Sequence, residues 1–391
     1  MKRSELRKHR PARSVPDKPL ENRRPRKSTV RRSLVAVLTL VAAAGSLAAV
    51  AGAQSAQAAS AACPWVGSSA PIPQRVSEVL ARMTQAQEVD LVTGASGSSY
   101  VGLIPAIGSL CIPALNLEDG PAGVADGMTG VTQLPAPVDA AATWDTAAEK
   151  QYGQVVGAEE AAKGATIDLG PTINIVRDPR WGRAFESIGE DPLLNGTMGA
   201  AEIQGVQSTG TMAQVKHFAV YNQETNRNTP SDDAIVSTEA EQEIYLPAFQ
   251  DAVQQGAASS VMCSYSTING TYACQNPYLL TTVLRQQFGF TGFVTSDWGA
   301  THSTAASANA GLTMDMPGND GYYGSALASA VSSGSVSAAT LSSMASDVLT
   351  EMFAFGLFDK PAGGSPAETA TSAADQNDAL QIAEEGTVLS V

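Results

Sequence analysis

The sequence predicts an α/β fold of the (β/α)8 TIM-barrel type, and three observations support this prediction. Short apolar segments alternate along the chain with longer segments of helical periodicity, as in parallel βα units. Polar motifs follow the ends of the apolar segments, where the active face of such a barrel lies. A doubly wound sheet would show the same alternation, but no GxGxxG or P-loop motif follows a predicted strand.

The predicted strands are short and apolar, as expected for parallel strands that are buried on both faces. They span residues 114–117, 166–169, 213–216, 260–263, 292–295 and 312–314. The predicted helices span residues 146–163, 192–207, 238–255, 277–288 and 338–355. Their ends are marked by suitable capping residues, namely Asp145, Asp191 and Ser237 at N-termini and Gly164 and Gly256 at C-termini.

The N-terminus has the pattern of an export signal. Residues 1–33 carry thirteen Lys or Arg and three acids, and an apolar run and the small-residue site Ala56-Gln57-Ala58 follow them. This order is typical of a signal peptide, so we expect residues 1–58 to be removed and the protein to be secreted. An uncleaved membrane anchor is the alternative, because the run approaches the length of a bilayer span.

The charge that remains after residues 1–58 is strongly acidic. Taking thirteen bases and three acids from totals of 24 and 38 leaves 11 basic and 35 acidic residues. Such a body repels nucleic acids and anionic membranes, so a neutral or cationic partner is expected.

The four cysteines predict disulfides rather than a metal site, because none forms a CxxC pair and export implies an oxidising compartment. Four cysteines allow three pairings. Locality along the chain favours Cys63 with Cys111 and Cys263 with Cys274.

The chain divides into four expected regions. After the signal peptide, residues 59–358 form the barrel domain, and residues 359–372, rich in Gly, Pro, Ser and Thr, form a linker. Residues 373–391 read as the first helix of a further domain that the sequence does not complete.

Asp297 is the leading candidate for chemistry. It follows the strand predicted at 292–295 and precedes Trp298 in "SDW". A carboxylate at the end of a buried strand is costly unless it is paired or reactive, and an indole offers a flat apolar surface to a sugar ring. The alternatives are a helix N-cap for Asp297 and core packing for Trp298.

Other hydrogen-bonding side chains follow the remaining predicted strands: Asp119, Arg183, Lys216, His217 and Tyr265. A fixed guanidinium can bind hydroxyl oxygens and keep a nearby carboxylate ionised. The alternatives are a turn at Asp119, a surface ion-pair cluster around Arg183, a structural histidine and a core tyrosine.

Seven blocks resemble glycoside hydrolase family 3, especially its β-glucosidase-like members, over roughly residues 84–359. In order they are "EDGPAGV", "QLPAPVDAAATWD", "GPTINIVRDPRWGRAFESIGEDP", "KHFAVYNQETNRN", "EIYLPAFQDAV", "MCSYSTINGTYACQN" and "GFVTSDWGATHS". The resemblance implies a barrel followed by an α/β sandwich domain, with no metal or organic cofactor. It also implies that Asp297 is the catalytic nucleophile, that Tyr265 lies beside it, and that Trp298 lines the sugar site. The sugar hydroxyls would be held by Asp119, Arg183, Lys216 and His217.

The implied reaction is the release of terminal β-D-glucosyl residues from β-glucosides or oligosaccharides through a covalent glycosyl-enzyme. A second carboxyl about 5–5.5 Å away must protonate the leaving oxygen. In β-glucosidase-like members this acid is a glutamate of the sandwich domain, of which residues 373–391 are only the expected start. Other members use a His-Asp pair within an Asp-Ser-His signature, but the corresponding stretch, "NRNTPSDDAIVS", contains no histidine.

Activity of the chain as given is therefore expected to be weak. Two alternatives remain open. One is a non-catalytic sugar-binding protein, and the other is a different specificity on the same scaffold, such as a β-xylosidase or, less in keeping with the missing signature, an N-acetylglucosaminidase.

Overall fold

The computed structural model describes residues 63–96 and 99–389. The predicted signal peptide, residues 1–58, and its cleavage site lie outside the described residues. Within the described ranges, no helix combines the length and apolar composition needed to cross a bilayer.

A curved sheet forms the centre of the domain. Its strands are β1 (Gly102–Ile104), β2 (Leu115–Glu118), β3 (Ile167–Asp168), β4 (Met212–Phe218), β6 (Ser260–Cys263) and β9 (Phe293–Ser296), hydrogen-bonded in that order. All neighbouring pairs are parallel except β1 and β2, which are antiparallel. The (β/α)8-type architecture is confirmed, with an antiparallel first pair that the prediction did not include.

Two segments without regular strands close the sheet into a ring. Met314 bridges to Thr295 of β9, and Asp315 bridges to Thr93. The Ala95 amide then donates to the Leu103 carbonyl of β1 at 2.8 Å. The strand predicted at 312–314 is therefore present only as a single bridge, and the segment around Thr93 was not predicted at all.

Helices surround this ring. They are α1 (Ile72–Leu80), α2 (Gln85–Leu91), α3 (Pro137–Ala141), α4 (Thr146–Lys163), α5 (Pro192–Ser208), α6 (Thr238–Ala240), α7 (Pro247–Gln254), α8 (Ala305–Ala310), α9 (Ser325–Ser332), α10 (Ala338–Ala354) and α11 (Ala373–Gly386). A small sheet of β5 (Asp233–Ala234), β7 (Thr267–Ile268) and β8 (Thr271–Tyr272) lies outside the ring. Apolar side chains fill the space between strands and helices.

The predicted caps explain which helix boundaries were correct. Asp145 and Asp191 accept hydrogen bonds from the backbone N–H groups of Ala147 and Leu194, and Gly164 ends α4 with a φ of 84°. The single helix predicted at 238–255 is wrong, because α6 and α7 are separated by a π-helical turn, Glu241–Tyr245. Residues Tyr278–Gln287 also form π-helical turns. Periodicity does not distinguish these turns from an α-helix.

Both predicted disulfides are confirmed, Cys63–Cys111 and Cys263–Cys274. The second joins the last residue of β6 to the loop that follows β8. It therefore ties down the chain on both sides of Tyr265.

The predicted linker, 359–372, contains no helix or strand but lies against the barrel. The buried Lys163 side chain donates to the backbone carbonyls of Thr129, Pro366 and Glu368. The α11 helix packs on α3 and α4, and its Leu380 is 57% exposed.

Candidate active site

Asp297 lies directly after β9, at the C-terminal edge of the parallel strands. Its amide donates to the Cys263 carbonyl of β6 at 3.2 Å, so strand pairing fixes the position of its Cα atom. Helix α8 begins eight residues later with Thr304 as its N-cap residue, so the N-cap alternative for Asp297 is wrong. The side chain is 6% exposed.

The two carboxylate oxygens of Asp297 have different surroundings. Oδ1 accepts the Trp298 backbone N–H at 2.7 Å. Oδ2 is buried without a hydrogen-bond partner among the described residues, and it lies 3.5 Å from His217 Nε2. One oxygen is therefore held in place while the other remains available to a ligand.

Two cations act on this carboxylate from other strands of the sheet. Arg183 follows β3 and pairs with Glu186 at 2.6 Å, and Lys216 on β4 pairs with Asp119 after β2, also at 2.6 Å. Burial raises the pKa of Asp297 above its ordinary value of 3.8, whereas Arg183 and Lys216 lower it. The cations therefore oppose the desolvation that would neutralise the acid.

His217 is held as a neutral acceptor. Its Nδ1 atom lies 3.2 Å from Asn174 Oδ1, which also accepts the His217 backbone N–H at 2.9 Å. We therefore assign the ring proton to Nδ1 and leave Nε2 unprotonated. Burial, together with Arg183 and Lys216, holds the pKa of His217 well below its ordinary value. Nε2 and Asp297 Oδ2 are then two facing acceptors, an arrangement that suits a ligand with hydroxyl donors.

Tyr265 and Trp298 complete the arrangement. The Tyr265 hydroxyl donates to the Trp298 carbonyl at 3.2 Å, and its proximity to Asp297 partly offsets the rise that burial causes in the pKa of that carboxyl. The Trp298 indole donates to the Val101 carbonyl at 3.2 Å, which fixes the plane of the ring, and the side chain remains partly exposed.

The structure thus brings all seven predicted site residues together at one end of the barrel. Beside them, a cavity of about 330 Å³ is lined by Asp119, Phe185 and Glu186. A larger cavity of about 600 Å³, bounded by Arg177, Asp232 and other loop residues, shares none of the seven. Of the seven residues only Asp119 lines the smaller cavity, so this cavity adjoins the candidate site through the ion pairs of Asp119 and Glu186 and does not contain Asp297.

Sequence reasoning missed several residues that support this site. Asn174 orients His217, and Glu186 pairs with Arg183. Tyr221, Glu224 and Arg227 form a second layer beneath the site. All five fall inside the quoted sequence blocks, but their side chains contact other protein groups, so no local pattern marked them.

The surface-cluster alternative proves correct for only part of "RDPRWGR". Arg180 is exposed and pairs with Asp178 at 2.5 Å, whereas Arg183 has only 20% of its side chain exposed. His302 stacks on Tyr272 and contacts Asn228 Oδ1 at 2.8 Å. No contact joins it to Asp297 in the described part of the chain.

Comparison with known proteins agrees with the resemblance seen in the sequence. The family described as "Glycosyl hydrolase family 3 N terminal domain" matches residues 103–350. A β-glucosidase of Rhizobium radiobacter is 40% identical over 290 residues, covering 73% of this chain and 35% of the relative. A probable β-glucosidase L of Aspergillus terreus is 40% identical over 284 residues, covering 70% and 38%. The chain therefore spans little more than a third of the length of these relatives.

Solved structures of the same family share the fold. DesR, a β-glucosidase from Streptomyces venezuelae in complex with D-glucose, aligns with a TM-score of 0.72 at 36% identity, over 80% of this chain and 41% of that one. The β-D-glucoside glucohydrolase from Trichoderma reesei aligns with a TM-score of 0.77 at 34% identity, over 81% and 45%. With the match to the family and the barrel, these similarities show that the chain belongs to glycosyl hydrolase family 3 and carries its N-terminal domain.

Proposed function

We propose that this domain binds the terminal β-D-glucosyl unit of a β-glucoside and forms a covalent glycosyl-enzyme through Asp297. The observation that carries this proposal is the asymmetry of the Asp297 carboxylate. Its Oδ1 is anchored by the Trp298 N–H, and its Oδ2 is buried without a partner and faces His217. An ionised, fixed and unpartnered oxygen is what a nucleophile requires.

In the first step, Oδ2 attacks C1 of the sugar, and the C1–O bond to the leaving group breaks with its electron pair passing to that oxygen. Lys216, Asp119 and Arg183 hydrogen-bond sugar hydroxyls, and His217 Nε2 accepts one more. Water then attacks C1 and loses one proton to the solvent, and the C1–Oδ2 bond breaks to release Asp297 as a carboxylate, with net retention of configuration.

The leaving oxygen needs a proton unless it is already a good leaving group. Asp119 and Glu186 are the other carboxyls beside Asp297, but each is ion-paired, with Lys216 and Arg183 respectively, so neither is free to contact the leaving oxygen. This pairing also favours the second candidate function, a sugar-binding domain without turnover on ordinary glycosides. The two candidate functions can be distinguished by whether a covalent inactivator of glycosidases becomes attached to Asp297.

We further propose that residues 1–58 direct export and that the mature domain works outside the cell. The two disulfides support this proposal, because they persist in oxidising compartments.

The test is covalent labelling with 2,4-dinitrophenyl 2-deoxy-2-fluoro-β-glucoside, whose leaving group needs no acid. Peptide mapping by mass spectrometry should place the 2-fluoroglucosyl group on Asp297, and Asp297→Asn should abolish labelling. The corresponding 2-fluoroxyloside should label more slowly. Label on another residue, or saturable glucose binding without any label, would count against the enzyme and, in the latter case, for the binding domain.

Azide tests whether this domain supplies a base for the second step. Azide attacks C1 of the glycosyl-enzyme without needing a base, so it should raise turnover of 2,4-dinitrophenyl β-glucoside and give β-glucosyl azide. Asp297→Asn should show no such rescue. An unchanged rate with azide would mean that deglycosylation already has a working base.

A further inference from the structure

Glu224 connects the two loops that follow β3 and β4. Its Oε1 accepts the Trp181 indole N–H at 2.7 Å, and its Oε2 accepts the Tyr221 hydroxyl at 2.7 Å and Arg227 Nη1 at 2.9 Å. Its Cγ also lies against Gly182, where an added Cβ would meet it at 3.3 Å. One carboxylate thus fastens Trp181, the residue before Gly182, to the loop after β4.

Two partners of Glu224, Tyr221 and Arg227, in turn contact candidate site residues. The fully buried Tyr221 ring packs edge-on against His217 at 5.1 Å and Tyr265 at 6.0 Å between centroids, and its hydroxyl hydrogen-bonds Arg183. The Arg227 guanidinium lies 4.8 Å above the Tyr265 ring. Trp181 is two residues from Arg183.

We infer that Glu224 is a positioning residue, which sets the geometry of Arg183, His217 and Tyr265 around the nucleophile through Tyr221 and Arg227. It touches none of the reacting atoms in the proposed reaction. This inference rests on the proposed function, because it concerns how well Asp297 is placed to react.

Loss of Glu224 should affect the reaction in two ways. The Tyr221 hydroxyl and the Trp181 N–H lose their acceptor, so the loops can shift, and a displacement of about 1 Å at a reacting centre can cost about 100-fold in rate. Arg227 also loses its neutralising partner beside Tyr265. An added positive field lowers the pKa of a neighbouring carboxyl. The acid limb of the pH–rate profile, where the reaction rate falls as Asp297 becomes protonated, should therefore move to lower pH.

The experiment measures inactivation by the 2-fluoroglucoside as a first-order constant and a dissociation constant, from pH 4 to pH 8. In Glu224→Ala we expect the first-order constant to fall about 10- to 100-fold, with a smaller change in the dissociation constant. Glu224→Gln keeps an acceptor for Trp181 and a partner for Tyr221 but loses the charge, so we expect a loss of about 3- to 10-fold. Glu239→Ala, which removes an exposed acid on α6, should match the wild type.

Each result has one meaning. If both folded Glu224 variants react within twofold of the wild type with an unmoved acid limb, the inference is wrong. If Glu224→Ala does not fold, Glu224→Gln decides alone by the same criterion. If the wild type takes up no label, the proposed function fails instead, and the Trp181 indole N–H resonance in Glu224→Gln then shows whether the bond to Glu224 exists.

Discussion

Two groups of buried or partly buried carboxyls lie in this domain, and they differ in their partners. At the candidate site, Asp297, Asp119 and Glu186 lie beside Arg183 and Lys216. A second group, which we call the acidic layer, lies between β2, β3 and the helices α4 and α5, and consists of Glu118, Glu149, Glu160, Asp168 and Glu202. Each member of the layer is at most 1% exposed, and none forms an ion pair within the described ranges.

Burial therefore has different outcomes in the two regions. In the acidic layer it raises the pKa of Glu149 to about 8 and that of Glu118 and Asp168 to about 7, so these groups are largely protonated in mildly acidic solution. At the candidate site the cations oppose the same desolvation. Burial alone produces neutral carboxylic acids, and a nucleophile additionally needs cations placed beside it.

The largest effect should come from removing a cation at the site. Arg183→Gln removes a positive charge that stabilises the buried Asp297 carboxylate, and it removes a hydrogen-bond donor to the sugar. We therefore expect the labelling rate to fall about 100-fold. The acid limb should also move to higher pH. Arg180→Gln, in the same loop but with an exposed side chain, should leave both unchanged. An equal loss in the two variants would show that the loop, and not the charge, matters.

Lys216 lowers the pKa of both Asp297 and Asp168, so it links the two regions. Lys216→Met should raise the pKa of Asp297. At pH values below that pKa, each pKa unit of the rise lowers the labelling rate about tenfold, because less of the carboxyl is ionised. The measurement is the pH profile of labelling, with Lys150→Met, an exposed lysine on α4, as the control. An acid limb that stays in place would contradict the role given to Lys216.

The smallest effect concerns stability and the acidic layer. A carboxyl whose pKa is raised in the folded chain favours folding below its unfolded value, near 4.5 for glutamate, and this contribution is lost as the pH rises through the folded pKa. The free energy of unfolding of the wild type should therefore decrease as the pH rises from about 4.5 to about 8. Glu202→Gln should remove part of this dependence and be about 1–2 kcal/mol more stable than the wild type at pH 8.

Urea unfolding at pH 5, 6.5 and 8 measures this difference. Glu384→Gln, an exposed position on α11, removes the same charge and should follow the wild type at every pH. If Glu202→Gln is instead less stable at pH 8, the acidic layer is ionised and held by contacts other than shared protons.

The sequence predicted the parts of the fold that local chemistry determines. Helix α4 begins and ends at the predicted residues because Asp145 and Gly164 cap it. Asp297 was placed correctly because it directly follows an apolar strand. The bridge at Thr93 and the break before Pro247 were missed, since both depend on neighbours that are distant in sequence.

The acidic layer was missed for a related reason. Glu149 and Glu160 lie on a helix of low overall hydrophobicity, where acids are usually exposed. Their burial depends on how closely α4 and α5 approach each other. Gly153 permits that approach, because an added Cβ would lie 2.3 Å from the Glu202 carbonyl oxygen. Glu224 was missed likewise, since its three partners converge only in the folded chain.

The ring of strands is closed by contacts between the beginning and the end of the barrel. Thr93 bridges to Asp315, and its hydroxyl accepts the Gly324 amide, 231 positions further along. On the ribosome, the Thr93 edge of the first segment therefore lacks these two partners until the last segment has been translated, roughly 10–50 s later at 5–20 residues per second. The nascent chain must keep this exposed edge from pairing wrongly throughout that interval.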